Sequence, residues 1–163
     1  MSKVTSRWDP IRAVLVTELR GPVDVAEVEA WRNGLQMELD RIPDGTRFRL
    51  LLDLTGFEPA ALDAHKAMRT VVPCLLLAHG MRPAFLDLFP ETAEPEVRTE
   101  RGVVCVAFAN VHHDPDKMAR YEERIATGNQ RFFTSRAAAE EWVLGVKWPP
   151  VDEGDDVRSI VQS

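Results

Sequence analysis

Residues Leu50–Leu62 read LLLDLTGFEPAAL. The first half is a nearly continuous apolar run, from Phe48 through Leu54, of the kind expected of a strand covered on both faces. The second half changes character. Thr55-Gly56 supplies turn residues, and Pro59 stands where a helix could begin, which "AALDAHKAMRTVV" would then carry to Pro73. A buried strand feeding a turn and a helix is the repeating unit of a layered α/β domain.

Working outward, the same alternation recurs. Arg12–Leu19 (RAVLVTEL) reads as a strand, and VTSRWDPI before it as a first strand that turns at Asp9-Pro10. Asp24 has the chemistry of a helix N-cap. Glu27 stands at the capping-box position and Val23 and Val28 at the staple positions, and Val28, Trp31, Leu35, Leu39 and Ile42 follow on one face. Pro43-Asp44-Gly45 ends that helix. After Pro73, CLLLAHGMRPAFLDLF fits a strand, a second helical piece or both, while Glu91–Arg101 is polar and loop-like. Gly102–Val111 (GVVCVAFANV) is the second strong strand. Asp114 and Pro115 then open a helix with Met118, Tyr121 and Ile125 on its apolar face, and Gly128 is expected to end it. QRFFTS is a short strand, and Ser135 caps the last helix, where Ala138 and Trp142 stack, as do Ala139 and Val143.

These elements predict an α/β fold with a central mixed, mostly parallel sheet of about 4–5 strands flanked by helices, the N-terminal pair adding an antiparallel edge. One domain is expected over residues 1–148, followed by a flexible acidic tail over 149–163. The expected core includes Trp31, Leu35, Leu51, Val104, Val106, Phe132 and Trp142, with Trp8 and Trp148 flanking the domain and exposed.

The chain of 163 residues is 45% hydrophobic and 28% charged and carries a net charge of −6, which disfavours nucleic acid or an anionic membrane as its partner. No run approaches the ~18 apolar residues of a membrane span. The N-terminal MSKVTSRWDP holds no apolar signal core, so a cytoplasmic, reducing setting is expected. Cys74 and Cys105 lie in apolar runs without a C-x-x-C pair and read as buried free thiols.

The order of elements, with Asp53-Leu54-Thr55-Gly56 at a strand end and Phe-Thr-Ser…Ala-Ala…Trp in the closing helix, resembles the SpoIIAA-like group. That group includes the bacterial STAS domains (sulfate transporter and anti-sigma-factor antagonist). The resemblance spans Val14 to Val143. It implies a regulatory module whose phosphorylated serine sits at a helix N-terminus just past the D-L-S/T-G strand. Here the matching positions fall near Ala61, Leu62 and Asp63, and no serine or threonine lies between Thr55 and Thr70. The scaffold is kept and the usual switch is missing.

The stretch NVHHDPDKM, Asn110–Met118, gathers the residues best suited to chemistry. It follows a strand and opens a helix, and ligands of open α/β sheets collect beyond the carboxyl ends of strands. Thr55, Asn110, His112, His113 and Asp114 are expected along one rim of the sheet, with Lys117 and Tyr121 one turn on. The histidines suit a general base, a metal ligand or an anion site, and the same residues also suit a plain helix start. His65 and His79 read as half-buried helix residues. Asp53, inside an apolar run, is expected to accept backbone N–H groups. G-x-G-x-x-G, P-loop, G-x-S-x-G and H-E-x-x-H motifs are absent from the sequence.

The expectation is therefore a non-enzymatic regulatory or ligand-binding module of STAS-like fold. It would act through a protein partner or a small apolar ligand, without cofactor, catalytic residue or metal, and self-association would make a homodimer. The alternative is an enzyme or metal-binding protein that uses the His112-His113-Asp114 loop.

Overall fold

The computed structural model describes residues 3–83 and 96–147. Residues 84–95, and the expected acidic tail with Trp148, lie outside the described residues. In chain order the elements are β1 (Val4–Asp9), β2 (Val14–Leu19), β3 (Gly21–Val23), α1 (Val25–Asp40), β4 (Arg47–Leu54), β5 (Phe57–Pro59), α2 (Leu62–Ala78), β6 (Val104–His112), α3 (Pro115–Arg124), β7 (Gln130–Phe133) and α4 (Arg136–Gly145). A 3₁₀ turn, Glu100–Gly102, leads into β6.

The fold is α/β. Its main sheet has five strands in the order β1-β2-β4-β6-β7, and β3 and β5 form a separate two-stranded pair. Only β1 runs antiparallel to its neighbour; the β2–β4, β4–β6 and β6–β7 pairs are parallel. Parallel strands need both faces covered. Leu50, Leu52, Leu54, Phe108 and Phe132 pack with α1, α2 and α3 on one face, and Leu51, Ala107, Ala109 and Val111 pack with Ala139 and Val143 of α4 on the other. That division explains the unbroken apolar run of β4. Among the described residues no helix is long and apolar enough to cross a membrane.

The caps follow the sequence. Asp24 and Glu27 form the reciprocal capping box, and Asp114 and Ser135 accept N–H groups from the first turns of α3 and α4. Around α2 the expectation needs correction. Pro59 does not open the helix but ends β5, which pairs with β3, and Ala60 donates to the Val23 carbonyl at 2.8 Å. A proline is tolerated on so short an edge strand. The helix then runs through Pro73 to Ala78, with Val71, Val72, Pro73 and Leu75–Ala78 buried. Packing of that apolar stretch outweighs the ~3 kcal/mol penalty of an interior proline. At the other end of the chain, α3 stops at Arg124 rather than at Gly128. The N–H groups of Ile125 and Ala126 both turn back to the Tyr121 carbonyl, which aims the chain into β7.

Several burial expectations also change. Trp8 is buried, edge-on to Phe48 at 6.4 Å, because its strand position points inward. Trp142, Val104 and Val106 are half-buried; Trp142 lies at the margin of α4, against Phe133 at 5.9 Å. Cys74 is exposed on α2, in the groove that faces α1, whereas Cys105 is buried, and burial pushes its thiol up to about 12.

Gly80 closes α2 with φ +80°, and a Cβ there would sit 3.2 Å from both Thr99 Cγ2 and Val104 Cγ1. Gly80→Ala should therefore lower stability by about 1–2 kcal/mol. The check is a fall in urea midpoint at unchanged m-value; an unshifted midpoint would show that this turn relaxes without cost.

Candidate functional site

β4 and β6 are parallel neighbours whose register pairs Leu54 with His112, so both strands end at one edge of the sheet. The turn after β4 and the loop after β6 meet there. Gly56, held at φ +79°, donates its N–H to His113 Nδ1 at 3.1 Å. Asp114 donates its N–H to His112 Nδ1 at 3.0 Å. The two rings stack with centroids 4.3 Å apart and planes 21° from parallel.

With Nδ1 accepting in each ring, the neutral imidazole carries its proton on Nε2. Burial, reinforced by the charges of Lys117 and His113, pushes the pKa of His112 down to about 4. At neutral pH His112 is thus an uncharged donor whose lone pair is already engaged. Asp114 is engaged as well: its Oδ1 accepts from the N–H groups of Asp116 and Lys117 at 3.1 and 3.2 Å. The start of α3 is capped by the chain's own carboxylate. Among the described residues no group of three or more His, Cys, Asp or Glu side chains could hold a metal ion.

Beside this loop lies a cavity of about 200 Å³ between α2 and α3. Leu52, Leu54, Asn110, His112 and Phe132 of the sheet form its floor; His65, Met68, Arg69, Val72 and Pro73 of α2 and Lys117, Met118 and Tyr121 of α3 form its walls. Four of the seven residues expected at the rim, Asn110, His112, Lys117 and Tyr121, line this cavity. Thr55, His113 and Asp114 do not. They lie nearby in the turns, where the Thr55 N–H is bound to Asp53 Oδ1 at 2.9 Å.

Two features set the cavity apart. Asn110 Oδ1 is buried without a hydrogen-bond partner among the described residues, a loss of about 1–3 kcal/mol unless something supplies a donor. Burial lowers the pKa of the half-buried Lys117, whose Nζ stands 5.9 Å from the Tyr121 ring centre. A larger groove of about 520 Å³ runs between α1 and α2. Its rim charges pair among themselves, Arg32 with Glu29 and Arg98 with Glu100, and it contains no orphaned polar atom among the described residues.

Compared with known proteins, the chain matches no family model, no curated protein and no solved structure.

The sequence reading missed the α2 wall. His65, Met68, Arg69 and Val72 do recur at helical spacing, which is the signal that could have found them. With a helix placed between Pro59 and Pro73, their orientation over β4 and β6 was not fixed. Asp53 is also more than a backbone acceptor: Arg136 Nη1 reaches it at 2.9 Å and Arg20 Nη2 at 3.4 Å.

Proposed function

We propose that this chain is a non-enzymatic, STAS-like regulatory module that senses a small, largely apolar molecule held between α2 and α3. The observation that carries this reading is the cavity at the carboxyl ends of β4 and β6, lined mainly by apolar side chains and containing one buried acceptor, Asn110 Oδ1, that has no partner among the described residues. Its volume lies below the roughly 300–1,000 Å³ of drug-sized ligand sites, which favours a small occupant. The order of one antiparallel edge pair, three parallel strand pairings and a closing helix supports the STAS-like reading. At Ala61, where that family's switch would stand, α2 begins without a side-chain cap, so occupancy of the cavity is the better candidate for the signal. Catalysis by the His112-His113-Asp114 loop is disfavoured, because both Nδ1 lone pairs and the Asp114 carboxylate are engaged by backbone N–H groups.

The test is a titration with hexan-1-ol followed by the methionine methyl NMR signals. Met68 and Met118 line the cavity, while Met37 is exposed on α1. Saturable shifts of Met68 and Met118 without Met37, abolished when Val72→Trp fills the space, are expected. Shifts that never saturate, or that survive Val72→Trp, would end the proposal.

A further inference from the structure

We propose that the natural ligand of the α2–α3 cavity is an organic monoanion, an apolar body with one carboxylate head bound by Lys117. This rests on the ligand-binding reading and names the chemistry of its occupant. The chain carries a net charge of −6, yet among the described residues no Asp or Glu lines the cavity. Its ionisable lining is basic or neutral: His65 and Arg69 from α2, His112 from β6 and Lys117 from α3.

Lys117 is half-buried and has no carboxylate within ion-pair distance among the described residues; its recorded neighbour is the face of Tyr121. Neither the adjacent Asp116 nor Asp114 forms an ion pair with it; Asp114 spends its Oδ1 on backbone N–H groups and favours the charged lysine only through space. A desolvated ammonium without a counter-ion is costly, and an anion entering the cavity offsets that cost. His112 adds a neutral Nε2–H donor, and Asn110 Oδ1 accepts from a hydroxyl on the ligand or from a water that accompanies it.

The head carries a single charge because, of the cavity's two permanent cations among the described residues, Arg69 is already engaged and Lys117 has no carboxylate partner. His112 is neutral. A dianionic phosphate would bring more charge than Lys117 can balance. The floor of Leu52, Leu54 and Phe132, with Met68 and Val72 above, takes the hydrocarbon.

The experiment compares hexanoate, hexan-1-ol, hexyl phosphate and hexylammonium on the full chain at neutral pH, read by the Met68 and Met118 methyl signals. Hexanoate should bind at least about tenfold more tightly than hexan-1-ol, or about 1.4 kcal/mol, and more tightly than the phosphate or the ammonium. K117M should remove the difference between hexanoate and hexan-1-ol, and K117R should keep it, which separates lost charge from lost folding. Equal binding of acid and alcohol would overturn the monoanion and leave the apolar-ligand reading standing. Stronger binding of hexyl phosphate or hexylammonium would also overturn it, as would an advantage of hexanoate that survives K117M. Failure of all four compounds to bind would overturn the cavity reading and this inference with it.

Discussion

Replacing Arg136 by methionine should lower the stability of the fold by about 3–5 kcal/mol, the range for stranding a buried charge. Arg136 is the first residue of α4. Its guanidinium binds Asp53 of β4 at 2.9 Å, Glu18 of β2 at 2.7 Å and Glu140 one helical turn on at 2.8 Å. The Asp53 side chain is 2% exposed, and its other cation, Arg20, stands farther off at 3.4 Å. Removing Arg136 leaves a buried carboxylate facing Glu18 with a weaker counter-ion, and it unpins α4 from the sheet. Asp53→Asn should cost less, because the amide oxygen can still accept the Thr55 N–H. The double variant Arg136→Met/Asp53→Leu should lose less than the sum of the single losses, since no buried charge is then stranded. Urea midpoints of the set check this; strict additivity would show that the two side chains do not form a unit.

The same cluster fixes an acid limb. Burial alone would raise the pKa of Asp53, but hydrogen bonds from Thr55 and Arg136 outweigh it and the net shift is downward. Glu18 behaves alike: burial raises it, while the Arg136 hydrogen bond and the Arg20 charge bring it below its ordinary value. A carboxylate with a depressed folded pKa contributes stability that is fully present above its unfolded pKa, about 3.9 for Asp and 4.3 for Glu. That stability is lost as pH falls through the lower folded value. The gap between wild type and Arg136→Met should therefore be widest near neutral pH and close toward acid. His112 acts in a separate window. Its folded pKa of about 4 lies below the unfolded ~6.5, so the unfolded chain gains a proton first, and stability declines as pH falls between those values.

Strand and helix identity was legible wherever a local rule agreed with tertiary packing. The capping box of Asp24 and Glu27, Pro115 after Asp114, and the apolar run of β4 each have one physical solution, and the structure adopts it. The misreadings share a cause. By local rules alone, Pro59 signals a helix start and Pro73 a helix stop. In the fold, a β3–β5 pairing absorbs the first and the buried flank of α2 absorbs the second. Both depend on partners distant in sequence. Trp8 likewise turns inward because β1 pairs with β2 and faces Phe48, a contact that the composition of VTSRWD alone does not imply.

The site was legible to the extent that it follows from strand direction. Two parallel strands end on one side, so Asn110, His112 and Thr55 had to share an edge. Strand direction does not say which of them turn toward a cavity. Alternation along β6 sends Asn110 and His112 to the α2–α3 face, while the chain's own backbone donors engage His113 and Asp114. Backbone hydrogen bonds to all three residues of the conspicuous HHD run thus fix the loop. The less conspicuous Lys117, one turn along α3, is a half-buried charge that lines the cavity.

Trp31→Ala should be as damaging as the loss of Arg136, about 3–5 kcal/mol, by a different route. Trp31 lies on the core face of α1 at 1% exposure, and its Nε1–H donates to Thr17 Oγ1 at 2.5 Å on the fully buried centre of β2. Thr17 Oγ1 also lies 2.8 Å from Ser6 Oγ and 3.2 Å from the Thr5 carbonyl of β1. One indole thus fills the layer between α1 and the sheet and joins a polar chain that crosses the two N-terminal strands. Alanine removes both contributions, and Trp31→Phe separates them. The phenyl ring keeps most of the apolar contact, and Thr17 keeps its partners on β1, so that variant should cost only about 1–2 kcal/mol. Thr17→Val is the more informative change, because it leaves the indole N–H buried without an acceptor, at about 1–3 kcal/mol. In the double variant Trp31→Phe/Thr17→Val neither donor nor acceptor is stranded between helix and strand. Its loss should fall below the sum of the two single losses by roughly 1 kcal/mol or more. Urea denaturation of the four proteins at neutral pH measures that coupling. A coupling of zero would mean that α1 is held to β2 by apolar packing alone, with the Trp31–Thr17 hydrogen bond adding nothing to the docking.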